Sequence, residues 1–346
     1  MIPRPALRLV GASLFVAALS IAAARADVTL TMNSPMPRTS SFFLGLFQPW
    51  KDAVERESQG RIKVEIPAAS LAPLGRQWDM VSSGVADVAM TPDDFIRQRV
   101  KLPFLAEIPF LAPNSVAATV AIWRTQEKFF AAADEYKGMK LLGIWVNGGN
   151  TLMTVPHAVA SLDDFKGLKL WVATPSMKQA VSAFGATPVP SEGGSSMFDY
   201  VSGGIVDGSV TGRGSLISFQ VARYMKYITV FPGQLGYNVF SFFMNQKTYN
   251  RLSADDRAVI DKVSYETISR RVAEGFVEQD DRANDAIKQF DITVSNASPE
   301  FMAALEPRVA FFKTDFLAAA KERGIDGAAA YDYFATTARE IAAQAK

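Results

Sequence analysis

The sequence has 346 residues, 36 Lys and Arg against 35 Asp and Glu, and a single histidine. This balanced charge gives no reason to expect a polyanion, so no nucleic-acid partner is predicted. The sequence has no cysteine, which excludes disulfides, a thiolate nucleophile and a cysteine-ligated metal. Its length indicates two domains, or one large domain, with enough residues to bury a sizeable core.

The N-terminus has the three parts of a secretory signal peptide. Arginines near the start supply positive charge, residues 9–24 form an uncharged and largely apolar run, and Ala24 and Ala26 are the small residues before a cleavage site. The apolar run is short for a membrane span, which needs about 20 residues. We therefore expect export to the periplasm, with residues 1–26 removed by cleavage before Asp27.

The first part of the mature sequence alternates predicted strands and helices. Apolar and polar side chains alternate at residues 28–32 and again at 62–66, as they do in strands. Helices are expected over residues 42–57 and 76–83, and a further strand at 87–90. Strand–helix alternation with short connections is typical of an α/β domain.

The middle of the chain continues this alternation, and the last third is mainly helical. Thr174 before Pro175 predicts a helix N-terminus, because Thr caps the first turn and Pro suits its first position. Ser253 and Ser298 begin later helices in the same way. Further strands are expected at residues 140–145, 168–173, 187–190 and 205–210, with a helix at 196–203.

Catalytic motifs are largely missing from the sequence. His157 has no second histidine or cysteine to complete a zinc site, and no phosphate-binding loop or nucleophile-elbow motif occurs. The carboxylate pairs at 163–164 and 255–256 occupy helix-capping positions, which explains them. Only Asp93 and Asp94, just after a predicted strand, could belong to a site. We expect no enzymatic activity, no cofactor and no metal.

Several short blocks follow one another along the mature sequence. The densest is Leu-Asp-Asp-Phe-Lys-Gly-Leu-Lys-Leu at 162–170, followed by Phe-Gly-Ala-Thr-Pro-Val at 184–189 and Gly-Ile-Val-Asp-Gly at 204–208. The others lie at residues 60–64, 74–75, 81–87, 103–104, 108–110, 245–249 and Leu252. In this number and order they resemble, end to end, the extracytoplasmic solute-binding proteins of TRAP (tripartite ATP-independent periplasmic) transporters.

The resemblance implies an α/β, two-lobed periplasmic-binding-protein fold with hinge strands, a long spanning helix and a helical C-terminal region. It places the N-terminal lobe mainly in 27–150, the C-terminal lobe mainly in 151–240, and a hinge-crossing strand and helices in 241–346. A small ligand would be enclosed between the lobes. The partners would be the small and large membrane subunits of an ion-gradient-driven importer. A monomer and a dimer through the C-terminal helices both remain open.

The sequence departs from this family where the family binds its ligand. Most members bind organic acids through an arginine, whose planar guanidinium suits a carboxylate, and Trp171 occupies that position here. A second family arginine falls near Thr151, with Asn150 beside it. The family's asparagine falls near Thr211, and its glutamate at the head of the next helix falls at Ser196.

One hypothesis keeps an organic acid as the ligand and moves its anchor. Arg213, two residues beyond Thr211, is the first candidate for this role, and Arg76 and Arg124 are weaker ones. The alternative explanation of Arg213 is a charge on the surface or between the lobes. A charged hydrogen bond contributes roughly 1.5–3 kcal/mol, so losing the family arginine implies either a different ligand class or a relocated anchor.

A second hypothesis, which we favour, is an aromatic, neutral or amine-bearing solute. Aromatic rings stack ligands and attract cations, and the candidates for this are Trp171, Trp145, Trp78 and Phe219. Asn147 would add a polar group, and Asp93 would complete a cation site. Tryptophans within predicted helices are instead expected in the core: Trp50, Trp78 and Trp123. Ligand delivery to a sensor receptor, in place of an importer, is a further alternative.

Overall fold

The computed structural model describes residues 28–38, 40, 42–190 and 196–344. The predicted signal peptide at 1–26 lies outside the described residues. Two β-sheets covered by helices form a two-lobed α/β fold, as predicted. Within these described ranges, no helix has the length and apolar character needed to cross a membrane.

The first sheet has five strands, numbered here along the chain: β1 (Val28–Asn33), β2 (Ile62–Glu65), β3 (Val88–Pro92), β4 (Met139–Val146) and β10 (Val239–Asn245). Their order is β2-β1-β3-β10-β4. β1 pairs parallel with β2 and β3, whereas β10 runs antiparallel between β3 and β4. All of β10 is buried, because this central strand has both faces covered. The chain thus returns to its first sheet after forming five of the six strands of the second.

The second sheet contains β5 (Thr151–Thr154), β6 (Lys169–Val172), β7 (Thr187–Pro190), β8 (Gly208–Thr211), β9 (Tyr227–Val230) and β11 (Thr293–Asn296). Their order is β11-β9-β5-β8-β6-β7. β5 pairs antiparallel with both β8 and β9, whereas β6 pairs parallel with β7 and β8. This sheet begins directly after β4 leaves the first, so the connection between β4 and β5 is one crossing between the lobes.

Twelve α-helices lie in the described part of the chain: α1 (Gln48–Glu57), α2 (Gln77–Ser82), α3 (Ser115–Thr125), α4 (Pro175–Phe184), α5 (Ser196–Ser202), α6 (Ser215–Ser218), α7 (Gln246–Arg251), α8 (Ala254–Val263), α9 (Glu266–Gln289), α10 (Pro299–Leu305), α11 (Phe311–Glu322) and α12 (Gly327–Gln344). The 24 residues of α9 make it about 36 Å long, at about 1.5 Å per residue. It is the predicted long spanning helix.

Local sequence signals located several helix ends correctly. The hydroxyls of Thr174, Ser253 and Ser298 each accept a hydrogen bond from an amide of the following helix, as N-caps do. The helix predicted over 42–57 begins instead with a π-helical turn, Phe43–Phe47.

The strand predicted at 205–210 was partly wrong, since β8 starts only at Gly208. Gly204 has a φ of 67°, and the Ile205 amide donates to the Tyr200 carbonyl at 2.9 Å. These residues therefore complete the end of α5, as a glycine-containing helix terminus does.

Among the residues that the structure describes, three apolar clusters make up the core. One lies between the first sheet and α1, α8 and α9; one continues from the other face of that sheet to α4 in the second lobe; and one packs the second sheet against α5, α6 and α9. Because α9 contributes Ile268 and Val272 to the first lobe and Ala283 and Ile287 to the second, it connects both lobes. Trp50, Trp78 and Trp123 are buried, which confirms their predicted place in the core.

Candidate functional site

Two chain segments cross between the lobes side by side. The first joins β4 to β5 through residues 147–150, and the second returns from β9 to β10. The Asn150 amide donates to the Gly236 carbonyl at 3.1 Å, and the Leu235 amide donates to the Asn150 carbonyl at 3.0 Å. The segments are therefore hydrogen-bonded to each other and form a two-stranded hinge.

Asn147, predicted in the ligand site, belongs to this hinge. Its side-chain Oδ1 accepts a hydrogen bond from the Asn238 amide at 2.8 Å, and its own amide donates to the Asn238 carbonyl at 3.2 Å. The side chain thus has a structural partner on the returning segment. Its role in ligand binding stays a prediction.

Trp171 lies near the end of β6, on the face of the second sheet covered by α5 and α6. Ser209 of β8 is its register partner, and Met153 of β5 is the partner of Ser209, so the three side chains share one face. The indole Nε1 donates to the Ser196 hydroxyl at 3.3 Å, and the Phe219 ring lies 6.1 Å away. Trp171 is only 2% exposed and forms part of an aromatic wall.

Thr151 and Thr211 come together at the hinge end of the second sheet. They are register partners on β5 and β8, and the Thr151 hydroxyl donates to the Thr211 carbonyl at 3.2 Å. Both residues are buried. The structure therefore brings these two residues together at this edge, where the Thr151 hydroxyl is used within the protein. Their role in ligand binding stays a prediction.

Several buried polar groups near these threonines have no hydrogen-bond partner among the described residues. They are the side-chain amide nitrogen and oxygen of Asn150 and the hydroxyls of Ser209 and Ser215. A buried polar atom without a partner costs about 1–3 kcal/mol, and such atoms often mark functional positions. Sequence reasoning missed the two serines. Their flanking glycines, which let backbone segments approach closely, were the available signal.

Arg213 is held by the long helix. Its Nη1 donates to Asn284 Oδ1 at 3.4 Å, and its charge lies near Asp280, one turn earlier on α9. The two weaker candidates have carboxylate partners: Arg76 pairs with Asp79, and Arg124 with Glu266. Each proposed arginine anchor therefore has an internal partner.

Asp93 and Trp145 lie on opposite faces of the first sheet. Trp145 stacks on Phe240 with ring centroids 6.0 Å apart, whereas Asp93 lies beside Ser241, the next residue along β10. Because successive residues of a strand face opposite ways, these side chains do not converge. The second hypothesis grouped Asp93 with Trp145 and Trp171, and the structure does not bring these three together.

Asp93 is fully buried beside Tyr136 and Ser241. The two hydroxyls hydrogen-bond to each other at 2.7 Å and interact with the Asp93 carboxyl, although neither of its oxygens makes a well-formed hydrogen bond to the described residues. Burial raises the pKa of Asp93 to about 8. The carboxyl is therefore mainly protonated at neutral pH, and this weakens its case as a partner for a cation.

A second buried carboxyl was not identified from the sequence. Glu107 lies between the lobes, where it accepts a hydrogen bond from the Ser176 hydroxyl and faces Arg97 and Asp94. Burial raises its pKa well above the usual range. In the sequence, Glu107 could have been recognised as a single acidic residue within a largely apolar stretch.

Comparison with known proteins identifies the family. Residues 32–315 match the family described as bacterial extracellular solute-binding protein, family 7 (DctP). The chain is 28% identical over 325 residues to the outer membrane transporter protein TsaT of Comamonas testosteroni, covering 92% of this chain and 94% of that protein. It is 24% identical over 295 residues to the C4-dicarboxylate-binding periplasmic protein DctP of Rhodobacter capsulatus, covering 82% and 85% of the two chains.

Two solved structures show the same fold. A TRAP periplasmic solute-binding protein from Bordetella bronchiseptica, with bound (R)- and (S)-mandelate, has a TM-score of 0.83 and 26% identity, covering 90% of this chain and 99% of that one. A TRAP solute-binding protein from Rhodoferax ferrireducens, with copurified benzoate, has a TM-score of 0.80 and 24% identity, covering 92% and 99%. The chain belongs to the family 7 extracellular solute-binding proteins, the solute-binding components of TRAP transporters.

Proposed function

We propose that the ligand is a small aromatic acid, bound with its ring against Trp171 and its acid group against uncharged hydrogen-bond donors. We also propose that cleavage before Asp27 releases the protein into the periplasm, and that the solute is bound without being converted. As a family member, the protein binds a small solute and works with the membrane subunits of a TRAP importer.

The aromatic wall carries this proposal. The sequence resemblance aligns Trp171 with the family arginine, and the Trp171 ring lies 6.1 Å from that of Phe219 at an interplanar angle of 55°. Tilted aromatic pairs of this kind contribute about 0.5–1.5 kcal/mol beyond the area they bury. A ligand ring placed beside them gains the same type of contact, which an aliphatic chain does not.

Uncharged groups at the hinge end of the second sheet suit the polar end of such a ligand. Asn150, Ser209 and Ser215 supply an amide and two hydroxyls that lack partners among the described residues. A carboxylate that accepts two or three hydrogen bonds is stabilised in its charged form. Because Arg213 is held by α9, these groups support the acid in place of an arginine.

The comparison with the Bordetella protein agrees with this ligand class. That protein, at 26% identity, holds mandelate, which combines a ring, a carboxylate and a hydroxyl. The combination matches an aromatic wall beside amide and hydroxyl groups.

The test is calorimetric titration of the mature protein with four matched solutes. (R)-Mandelate and benzoate carry both ring and acid, cyclohexanecarboxylate lacks the aromatic ring, and benzylamine replaces the acid with a cation. We expect micromolar or tighter binding of at least one aromatic acid and at least tenfold weaker binding of the other two solutes. Stronger binding of benzylamine would reject the acid, and chromatography of the recovered solute would reveal any turnover.

A further inference from the structure

Glycines from two loops pack against helix α9 where the lobes meet. Gly148 lies in the first hinge crossing, and Gly214 follows β8. A Cβ on Gly148 would lie 3.1 Å from Asp280 Oδ2, and one on Gly214 would lie 3.2 Å from Asp280 Oδ1 and 2.8 Å from Gln279 Cγ. Asp280 therefore touches a hinge segment on one side and a second-lobe loop on the other.

Asp280 also holds that second loop by a hydrogen bond. Its Oδ1 accepts from the Gly214 amide at 2.7 Å, and Arg213 adds its own contact with Asn284 on the same helix. Burial raises the pKa of the Asp280 carboxyl, while the Gly214 amide and the Arg213 charge act in the opposite direction. The loop is thus attached to α9 by adjacent residues.

The loop fixed by Asp280 carries groups of the proposed ligand site. Thr211 is its first residue and Ser215 its last, and Ser215 also begins α6. Between them, a Cβ on Gly212 would lie 3.0 Å from the Gly148 carbonyl oxygen. The loop is therefore in backbone contact with the hinge crossing as well as with α9.

We propose that Asp280 is a positioning residue for ligand binding: it joins the 211–215 loop to α9 and to the hinge at Gly148. It does so without touching the ligand. Movement of the hinge crossing is then transmitted to Thr211 and Ser215 through this carboxylate, in addition to the direct contact between Gly148 and Gly212. The inference rests on the proposed function only in the arm of its test that uses a ligand.

Hydrogen exchange of the Gly214 amide tests the contact without a ligand. The variants are Asp280→Ala, which removes the acceptor, and Asp280→Asn, which keeps one; Asp281→Asn changes the exposed neighbour on the same helix. A hydrogen bond to a charged group contributes roughly 1.5–3 kcal/mol. We expect the Ala variant to speed exchange at least tenfold, the Asn variant less, and the Asp281 control not at all.

Gly148→Ala is a second variant, which disturbs Asp280 from the side of the hinge crossing. It adds a Cβ against Oδ2, but Gly148 also contacts Gly212 of the loop directly. Exchange is therefore also measured in the Gly148→Ala, Asp280→Asn double variant: an effect that comes through Asp280 differs between the two backgrounds, whereas an effect through Gly212 is the same in both. Gly148→Ala also keeps the test decisive if Asp280→Ala folds poorly. Unchanged Gly214 exchange in both Asp280→Ala and Gly148→Ala would overturn the proposal.

A double-mutant cycle on ligand affinity separates positioning from general stability. Dissociation constants for (R)-mandelate are measured for Asp280→Ala, Ser215→Ala and the double variant. If Asp280 acts through the loop, the double variant binds at least threefold better than the two single losses multiplied together; simple multiplication would contradict the proposal. If the unmodified protein binds no aromatic acid, the proposed ligand class fails, and the exchange results still decide whether Asp280 attaches the loop to α9 and the hinge.

Discussion

The Arg97 guanidinium donates a hydrogen bond to the Ser176 hydroxyl across the two lobes, with Nη2 and Oγ 2.9 Å apart. Arg97 follows β3 of the first lobe and packs over the Phe104 ring, 3.6 Å from its centroid. Ser176 lies in the first turn of α4 in the second lobe. The Glu107 carboxylate accepts from the same hydroxyl, and from the Val239 amide at 3.2 Å. A buried polar network beside the hinge therefore joins the lobes.

Removing the Ser176 hydroxyl should weaken ligand retention. If the lobes open by hinge motion, as in two-lobed binding proteins, this contact breaks on opening, and each hydrogen bond contributes about 1 kcal/mol. We expect Ser176→Ala to raise the ligand dissociation rate about five- to tenfold in stopped-flow measurements. Ser182→Ala, at an exposed position of α4, is the matched control.

Small-angle scattering with and without ligand completes this experiment. Saturating ligand should reduce the radius of gyration of the unmodified protein. Equal dissociation rates for Ser176→Ala and the control would mean that the contact survives in the open form.

Stability should depend on pH through Asp93. Burial raises its pKa from 3.8 to about 8, so between these values the folded protein holds a proton that the unfolded chain releases. The free energy of unfolding contributed by this group therefore falls as the pH rises from 3.8 to about 8, and is constant above that. Asp93→Asn removes this loss, because the amide stays neutral.

Urea unfolding of the ligand-free protein measures the effect. At pH 9 we expect Asp93→Asn to be more stable than the unmodified protein by at least about 1 kcal/mol, because burying an ionised carboxylate costs more than burying a neutral polar group. The difference should shrink towards pH 4. Asp163→Asn is the control, because the Asp163 side chain is 82% exposed. A difference independent of pH would show that Asp93 is ionised in the folded protein.

The sequence predicted the parts of the fold that depend on local chemistry. Caps at Thr174, Ser253 and Ser298 are determined by a hydroxyl and the amides two or three residues later, and such signals can be read directly. The return of β10 to the first sheet cannot be predicted from local signals, because its pairing with β3 and β4 joins segments about 100 or more residues apart. Only the family resemblance indicated a returning strand.

The candidate site likewise contains residues that the sequence could identify and a spatial arrangement that it could not. Trp171, Thr151 and Thr211 were located by their place in sequence blocks, and β5, β6 and β8 bring them to one sheet. Asp93 follows β3 and Trp145 lies in β4, both strands of the first sheet. Their side chains nevertheless lie on opposite faces of that sheet, because successive residues of a strand face opposite ways. Which face a residue occupies depends on its register with partner strands, and the sequence did not give that register.

The Trp171 ring should determine affinity for aromatic acids. Trp171→Ala removes the aromatic wall and the indole donor to Ser196, and we expect at least tenfold weaker binding in titration calorimetry. Trp171→Phe keeps a ring and should lose less. Trp78→Phe is the control, since Trp78 packs in the first-lobe core against Phe243. Unaltered affinity of the Ala variant would remove Trp171 from the site.

Arg213 distinguishes the two ligand hypotheses. If it anchors the acid, Arg213→Gln should weaken binding of (R)-mandelate about 10- to 100-fold, the effect of a lost charged hydrogen bond. Because its Nη1 is directed at Asn284 on α9, we expect a loss of about threefold or less, caused by a loosened loop. Arg223→Gln, at an exposed position, shows the effect of net charge alone. A large loss confined to Arg213→Gln, and equal for mandelate and cyclohexanecarboxylate, would establish the relocated arginine as the anchor and make the aromatic wall secondary.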